Sequence, residues 1–283
     1  MNSVKKVAVI GAGTMGAGIA QVSAMAGFEV VLYDIQEKAL QTARAGITKN
    51  LDTAIEKGKM VAAEKQAALG RIEFTSDFAA LQADLIIEAI IEKLEVKREL
   101  MQKLAAQNAT DTILASNTSS IPITQIASAV PNPGRVAGIH FFNPAHLMKL
   151  VEIISGAETT DTVMQTAREY VLALQKTPVI ARDAPGFIVN RVARHYYVEG
   201  LKVLEENVAG MEDIDALMEA SGFKMGPFRL MDLIGVDTNF SVTESIYNLF
   251  HQDAKFRPSR IQKQKVDAGH WGRKSGKGFY TYK

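Results

Sequence analysis

The chain has 283 residues, of which 47% are hydrophobic and 22% charged, a balance typical of a globular protein with one large or two medium domains. Lysine plus arginine (32) nearly cancel aspartate plus glutamate (31), so the net charge of +1 gives no electrostatic reason to expect nucleic acid or an acidic membrane surface as a partner. The chain contains no cysteine, which excludes disulfides, thiolate metal sites and cysteine nucleophiles.

Membrane insertion and secretion are also not indicated. No apolar run approaches the roughly 20 residues that a membrane-spanning helix needs. The apolar part of "MNSVKKVAVIGAG" is too short for a signal peptide, and it continues directly into a structural motif. We therefore expect an intracellular, cytoplasmic protein that acts on a small molecule.

The first elements in chain order form a strand–helix–strand unit. Residues 4–10, "VKKVAVI", are rich in β-branched side chains and precede the glycine-rich "GAGTMGAG". Residues 14–27 are typical of a helix that Gly27 closes, and residues 28–34, "FEVVLYD", predict the next strand. This pattern is typical of a βαβ unit.

Strands and helices continue to alternate through the first two thirds of the chain. Residues 36–69 predict a helical segment with a break near Gly58. The segments that follow predict strands at 71–76, 83–90, 111–116, 135–142, 148–155 and 177–181, and helices at 92–107, after Pro122 and at 160–175. Such alternation favours a largely parallel sheet covered on both faces.

The pattern changes at "RDAPGFIVNR", residues 182–191. Beyond Pro185-Gly186 the sequence predicts helices only, at residues 187–207, 211–221, 229–250 and 258–267. The apolar spacing between Leu217 and Ile246 fits helices with buried faces, and it leaves open whether those faces form a core or an interface. We expect an α/β domain over residues 1–185, followed by an all-helical domain over 186–283.

The glycine turn indicates a dinucleotide. Gly11, Gly13 and Gly16 form G-x-G-x-x-G between a strand and a helix, where the backbone can approach a pyrophosphate at the helix N-terminus. Asp34 ends the second strand, where a carboxylate would bond the ribose hydroxyls and repel a 2′-phosphate. We predict a Rossmann-type doubly wound sheet that binds NAD rather than NADP, the alternative being a structural turn with a solvated aspartate.

A titratable pair lies in two apolar segments. His140 and Glu152 flank "NPAHLMK", whose Asn-Pro favours a turn, so adjacent strands would bring the two side chains together. A carboxylate on one imidazole nitrogen orients the ring and leaves the other nitrogen to act as a general base. A core histidine with a satisfied hydrogen bond is the alternative.

Further polar residues follow strand ends or the domain boundary. "SNTSS", residues 116–120, follows a strand at its carboxyl end, where open α/β sheets bind ligands, and its hydroxyls suit a substrate oxygen or a helix cap. Asn190 lies beside the domain boundary, as a substrate contact or a capping residue. Histidines with metal-ligand spacing are absent from the sequence, so no metal is expected.

Taken together, several segments are similar to one known family. "GAGTMGAGIA", "EAIIEKLEVKREL", "SNTSSIPITQIA", "GIHFFNPAHLMKLVEII", "DAPGFIVNR" and "GRKSGKGFYTY" occur in the order found in NAD-dependent (S)-3-hydroxyacyl-CoA dehydrogenases, and the chain most resembles the short bacterial 3-hydroxybutyryl-CoA dehydrogenases. The resemblance implies hydride transfer to NAD, an acyl-CoA substrate, a place in fatty-acid metabolism and a homodimer formed by the helical domain.

The resemblance also implies roles for individual residues. His140 is implied as the base that Glu152 orients, and Ser119 and Asn190 as contacts to the substrate oxygen and thioester. Asn50 and Lys57 are implied as coenzyme A contacts, with a solvated helix face as the alternative for Lys57. The implied dinucleotide site comprises Gly11, Gly13, Thr14, Met15, Gly16, Asp34, Glu92, Lys97, Asn117, Ser119, Asn143 and Lys274.

The sequence departs from the family pattern at positions such as His146, which stands in "NPAHLMK", and Lys224, which stands in "GFKMGPF". These changes leave the acyl-chain preference open, including a chain larger or more polar than butyryl. Two other functions also remain open: a dehydrogenase of a free hydroxy acid, and a catalytically silent NAD-binding protein.

Overall fold

The computed structural model describes residues 4–282, and the chain divides into two compact units, the first ending at Ala184 and the second beginning at Pro185. The first unit contains one eight-stranded sheet. Its strands are β1 (Lys6–Ile10), β2 (Glu29–Tyr33), β3 (Ile72–Thr75), β4 (Leu85–Glu88), β5 (Ile113–Ser116), β6 (Val136–Phe141), β7 (Leu150–Ser155) and β8 (Thr177–Arg182).

The order of the strands confirms the predicted Rossmann-type fold. The sheet reads β3-β2-β1-β4-β5-β6-β7-β8, and β1 to β6 are mutually parallel. β7 runs antiparallel to β6, because a loop of residues 142–149 rather than a helix connects the two strands, and β8 runs parallel to β7. The order reverses at β1, and at this switch point the carboxyl ends of the strands open a ligand crevice.

Helices flank this sheet. They are α1 (Thr14–Met25), α2 (Glu37–Glu56), α3 (Ala62–Gly70), α4 (Leu94–Gln107), α5 (Ile123–Ala127) and α6 (Asp161–Ala173). The predicted break near Gly58 is confirmed: α2 ends just before it, and Gly58 has a φ of +65°. Every residue of β4, β5 and β6 is buried, as expected for strands covered on both faces.

The second unit is helical, as predicted, with α7 (Val189–Glu205), α8 (Met211–Ala220), α9 (Pro227–Ile234), α10 (Val236–Leu249) and α11 (Arg260–Asp267). Its core includes Phe228, Met231 and Phe279. The prediction of one helix over residues 229–250 is wrong. Gly235, with a φ of +106°, separates α9 from α10, and the amide of Val236 donates to the carbonyl of Trp271 instead of continuing the helix.

The C-terminal segment is anchored on α9 by one buried carboxylate. Asp232, only 1% exposed, accepts hydrogen bonds from the amides of Phe279 and Tyr280 and from the Tyr282 hydroxyl. A Cβ at Gly278 would lie 2.0 Å from the same carboxylate, so only glycine lets the segment approach. Among the helices of residues 4–282, none is both long and apolar enough to cross a membrane.

Candidate active site

In the glycine turn between β1 and α1, two of the three glycines pack against backbone atoms and leave no room for a side chain. A Cβ at Gly11, whose φ is +99°, would lie 2.6 Å from the carbonyl oxygen of Ala89, and a Cβ at Gly16 would lie 1.7 Å from the carbonyl oxygen of Gly11. Both glycines are therefore required for the turn itself.

The middle glycine of the turn faces open space. A Cβ at Gly13 would meet nothing within 4 Å, and no side chain caps α1 at this residue. The helix begins at Thr14, so the amides of Thr14, Met15 and Gly16 belong to its first turn and have no intrahelical acceptor. A pyrophosphate fits this position, since free amides and the helix dipole both favour an anion there.

Asp34 is held by the backbone at the end of β2. Its Oδ2 accepts from the amide of Ala12 at 2.8 Å and its Oδ1 from the amide of Gln36 at 2.9 Å. Each carboxylate oxygen can accept a further hydrogen bond. The carboxylate thus lies beside the glycine turn with acceptor capacity for the two hydroxyls of a ribose, as NAD requires.

Beyond β4, two carboxylates share one buried lysine. Lys97, 1% exposed, forms ion pairs with Glu88 at 2.6 Å and Glu92 at 3.1 Å. Glu92 also accepts from the Thr118 hydroxyl at 2.6 Å and the Ser119 amide at 2.9 Å. Burial opposes ionisation of Glu92, but Lys97 and these hydrogen bonds outweigh it and lower its pKa. Lys97 therefore positions Glu92 and the serine-rich loop.

The "SNTSS" loop is ordered by its own threonine. The Thr118 hydroxyl accepts from the Ile121 amide at 2.9 Å, whereas the first amides of α5 donate to Asp183 instead. Asn117 links the loop to the next strand, since its Oδ1 accepts from the Phe141 amide at 2.8 Å. The loop after β5 is thereby bonded to the residue that follows His140.

His140 and Glu152 lie directly opposite each other on β6 and β7. The distance from His140 Nδ1 to Glu152 Oε2 is 2.8 Å, and the two residues are 5% and 0% exposed. Because an ionised carboxylate only accepts, this bond places a proton on Nδ1, and in the neutral ring Nε2 then carries the lone pair. The Phe142 ring packs 4.6 Å from the imidazole. The pairing of the two side chains across adjacent strands was expected, and the hydrogen bond fixes the orientation of the imidazole.

A cavity of about 490 Å³ opens beside the glycine turn. Gly13 and Thr14 line one side of it, Asn50 of α2 another, and His146 a third. Asn50 is oriented by a hydrogen bond from its Nδ2 to Gln21 Oε1 at 3.1 Å. The structure thus brings one of the two predicted coenzyme A contacts to the dinucleotide turn. Lys57, at the exposed end of α2, does not line this cavity.

His146 is held at the cavity by a lysine beneath its loop. Lys176, 8% exposed, donates to the carbonyls of Ala145 and Met148 at 2.6 Å each. Burial, followed by the positive charge of Lys176, lowers the pKa of His146. The imidazole is therefore neutral near pH 7. Sequence reasoning singled out His146 only as a departure from the family pattern.

Three further predicted residues are Asn143, Asn190 and Lys274. Asn143 is exposed and joined to Pro144 by a cis peptide bond. In the second unit, Asn190 lies in the first turn of α7, and Lys274 forms an ion pair with Asp237 at 2.7 Å. Sequence reasoning missed Glu88, although a carboxylate in the apolar run "ADLIIEAI" is the same signal that drew attention to Glu152.

Both units match models of one family. The model described as "3-hydroxyacyl-CoA dehydrogenase, NAD binding domain" matches residues 6–184, and that described as "3-hydroxyacyl-CoA dehydrogenase, C-terminal domain" matches residues 186–282. The chain belongs to the 3-hydroxyacyl-CoA dehydrogenase family. This is a family of NAD-dependent oxidoreductases, and NAD is the cofactor of the domain that contains the glycine turn.

The sequence similarity to individual relatives extends over nearly the whole chain. It is 50% identical to a 3-hydroxyadipyl-CoA dehydrogenase of Escherichia coli over 100% of the chain, but it spans only 60% of the length of that relative. It is 43% identical to a probable 3-hydroxybutyryl-CoA dehydrogenase of Deinococcus radiodurans, covering 98% of this chain and 100% of the other.

Solved structures of family members give the same result. The crystal structure of an (S)-3-hydroxybutyryl-CoA dehydrogenase from Ralstonia eutropha has a TM-score of 0.95 at 39% identity, covering 99% of this chain and 100% of the other. The identity and coverage show that the 3-hydroxyacyl-CoA dehydrogenase family shares this architecture in both of its domains.

Proposed function

We propose that this chain interconverts (S)-3-hydroxyacyl-CoA and 3-ketoacyl-CoA with a His140–Glu152 general base. The observation that carries the proposal is the buried 2.8 Å hydrogen bond between these side chains, on a sheet whose glycine turn suits NAD. An alcohol dehydrogenation needs a proton acceptor beside the hydride acceptor. NAD, when bound, supplies the hydride acceptor.

The chemistry of the chain's own residues follows from this hydrogen bond. Nε2 of His140 takes the proton of the 3-hydroxyl. The resulting imidazolium retains its proton on Nδ1 and continues to donate it in the hydrogen bond to Glu152. The carboxylate stabilises that positive charge in a setting from which water is largely excluded. In the direction of reduction, the same imidazolium returns its proton to the oxygen at C3.

Other residues are proposed in supporting roles. Ser119 and Asn190 hold the substrate oxygen and thioester, and Asn50 and Lys57 contact coenzyme A. The amides of the glycine turn, Asp34, Glu92, Asn117, Asn143 and Lys274 form the dinucleotide site, to which Lys97 contributes through its ion pair with Glu92. We assign NAD-binding to residues 1–185 and substrate binding and dimerisation to residues 186–283.

The identity of the acyl group of the substrate is a further part of the proposal. Relatives are named for 3-hydroxybutyryl-CoA and for 3-hydroxyadipyl-CoA, so the acyl groups in those names differ in length and in a terminal carboxylate. We propose 3-hydroxybutyryl-CoA as a substrate, in the cytoplasm and in fatty-acid metabolism. A longer and more polar acyl chain is the second candidate, and it is favoured by a buried arginine of the helical unit, Arg194.

The test is oxidation of NADH by purified protein with acetoacetyl-CoA, with NADPH as the alternative cofactor. We expect turnover with NADH and little with NADPH, because the carboxylate of Asp34 repels a 2′-phosphate. Replacing His140 with Gln should lower kcat by about a hundredfold to ten-thousandfold and leave the affinity for NADH unchanged.

Replacement of the exposed His251 with Gln is the matched control, and it should leave kcat as it is. Full turnover by H140Q would contradict the assignment of the base. Activity on a free hydroxy acid with none on acetoacetyl-CoA would contradict the substrate class, and NADH binding without any turnover would indicate a silent protein.

A further inference from the structure

Arg194, on the first helix of the second unit, is a buried cation. Only 3% of the residue is exposed, and its guanidinium lies 5.1 Å from the Tyr197 ring. Its Nη1 donates to the carbonyl of Asn239 and to the hydroxyl of Thr243, both on α10 and both at 2.9 Å. One nitrogen of the guanidinium thus joins α7 to α10.

The Nε atom of this guanidinium has no acceptor among the described residues. Within residues 4–282, Nε of Arg194 is buried without a hydrogen-bond acceptor, and no carboxylate forms an ion pair with the side chain. Burial lowers the pKa of Arg194 to about 10, although the nearby Tyr197 acts in the opposite direction. By contrast, Arg229 of the same unit is more exposed and pairs with Glu219 at 3.2 Å.

Such an arrangement is costly unless an anion completes it. A buried arginine is normally paired, because removing a charge from water is costly and a hydrogen-bonded counter-charge offsets that cost. A carboxylate is the anion that matches a guanidinium edge with two parallel hydrogen bonds. The contacts to Asn239 and Thr243 orient the guanidinium but bring no negative charge.

We propose that the Nε side of the Arg194 guanidinium binds a carboxylate at the far end of the acyl chain, so that the substrates include 3-hydroxydicarboxylyl-CoA thioesters. This inference rests on the proposed function, in which Asn190 contacts the substrate. Arg194 follows Asn190 by four residues on α7, one helical turn or about 6 Å along the same face. A chain a few carbons longer than butyryl spans that distance.

The test compares thioesters that differ only in their far end. In wild-type protein, kcat/KM for 3-oxoadipyl-CoA should exceed that for 3-oxohexanoyl-CoA by between about tenfold and a hundredfold, as for a charged hydrogen bond. Replacing Arg194 with Met should bring this ratio to about one, and Arg194→Lys should give an intermediate ratio, because an ammonium keeps the charge without the two-pronged geometry.

Lys202→Met removes an exposed charge from the same helix and should keep the wild-type ratio. A wild-type ratio near one would overturn the proposal. So would an R194M enzyme with the wild-type ratio and a lower Tm, since that result identifies a purely structural arginine.

Calorimetric binding of adipoyl-CoA and hexanoyl-CoA separates this proposal from the proposed function, since neither compound is reduced. Tighter binding of adipoyl-CoA, lost in R194M, would support the carboxylate site even if the protein reduced no ketoacyl-CoA. Equal binding of the two compounds by an enzyme that does turn over acetoacetyl-CoA would overturn the carboxylate site alone.

Discussion

Two of the carboxylates in the strands of this sheet are buried, Glu88 and Glu152, and each has one basic partner. Glu152 in β7 is bonded to His140, and Glu88 at the end of β4 is bonded to Lys97. Both carboxylates are 0% exposed. The pairs differ in what they organise. We assign proton transfer to the first, and the second orders the loop that bears Ser119.

The Glu88–Lys97 pair should be important for stability. Replacing Lys97 with Met leaves a buried carboxylate without its counter-charge, and we expect a loss of about 3–5 kcal/mol in the free energy of unfolding. Denaturant unfolding followed by circular dichroism measures this loss. The double variant K97M/E88Q should recover part of it, because the unpaired charge is then absent.

Lys103→Met, on the exposed side of the same helix, is the matched control and should lie close to wild type. If K97M unfolds at the same denaturant concentration as K103M, the pair does not stabilise the fold in the way its burial suggests.

At the scale of elements, the turn between β1 and α1 separates folding from binding within six residues. Gly11 and Gly16 are needed because side chains there would meet backbone atoms, whereas Gly13 faces open space at the N-terminus of α1. The same motif therefore contains two glycines that the fold needs and one that the fold does not need, which we propose is kept small for the dinucleotide.

This difference gives a direct test of the dinucleotide site. Gly16→Ala should destabilise the protein, because the new Cβ would lie 1.7 Å from the Gly11 carbonyl oxygen. Gly13→Ala should fold normally but bind NADH about tenfold or more weakly, since overpacking of the phosphate position costs about 1–3 kcal/mol. Thermal unfolding and NADH fluorescence titration measure the two effects.

Gly70→Ala introduces a methyl group into equally open space at the end of α3 and should change neither quantity. Unaltered NADH affinity in G13A would place the pyrophosphate elsewhere.

The expected helix over residues 229–250 is in fact two helices, and it shows why the periodicity of apolar residues can miss the end of a helix. The apolar repeat continues across Gly235, so a single helix over 229–250 was expected. The break depends on a hydrogen bond from the Val236 amide to the Trp271 carbonyl, a partner 35 residues away in the chain. Local periodicity contains no information on that partner.

At the scale of the whole molecule, the apolar residues of the helical unit fall into two groups. Ile246 is fully buried, whereas Leu217, Leu233 and Ile234 are 67%, 49% and 44% exposed. The sequence left open whether such residues form a core or an interface, and exposure separates them. Large exposed apolar side chains on one unit favour an interface with another copy of the chain.

We therefore expect a homodimer formed by the helical unit. Light scattering of the purified protein should give twice the chain mass at micromolar concentration. Leu217→Glu combined with Leu233→Glu should shift the protein towards the monomer, because a buried unpaired charge disfavours association.

Val61→Glu, at a residue of the first unit that is 60% exposed, is the matched control and should leave the mass unchanged. A wild-type protein that elutes and scatters as a monomer would contradict the dimer.

The sequence by itself determined most of the elements, the Rossmann-type sheet, the glycine turn, the residue numbers of the candidate base and its partner, and the family. These follow from local patterns, since strand and helix periodicity and turn chemistry depend on near neighbours. Only the tertiary structure decided that Lys97 is buried between Glu88 and Glu92. It also decided that Asn50 lines the cavity while Lys57 does not, and that Arg194 is buried without a carboxylate among residues 4–282. Each of these depends on residues far apart in the chain, and burial and pairing arise only when the fold brings them together.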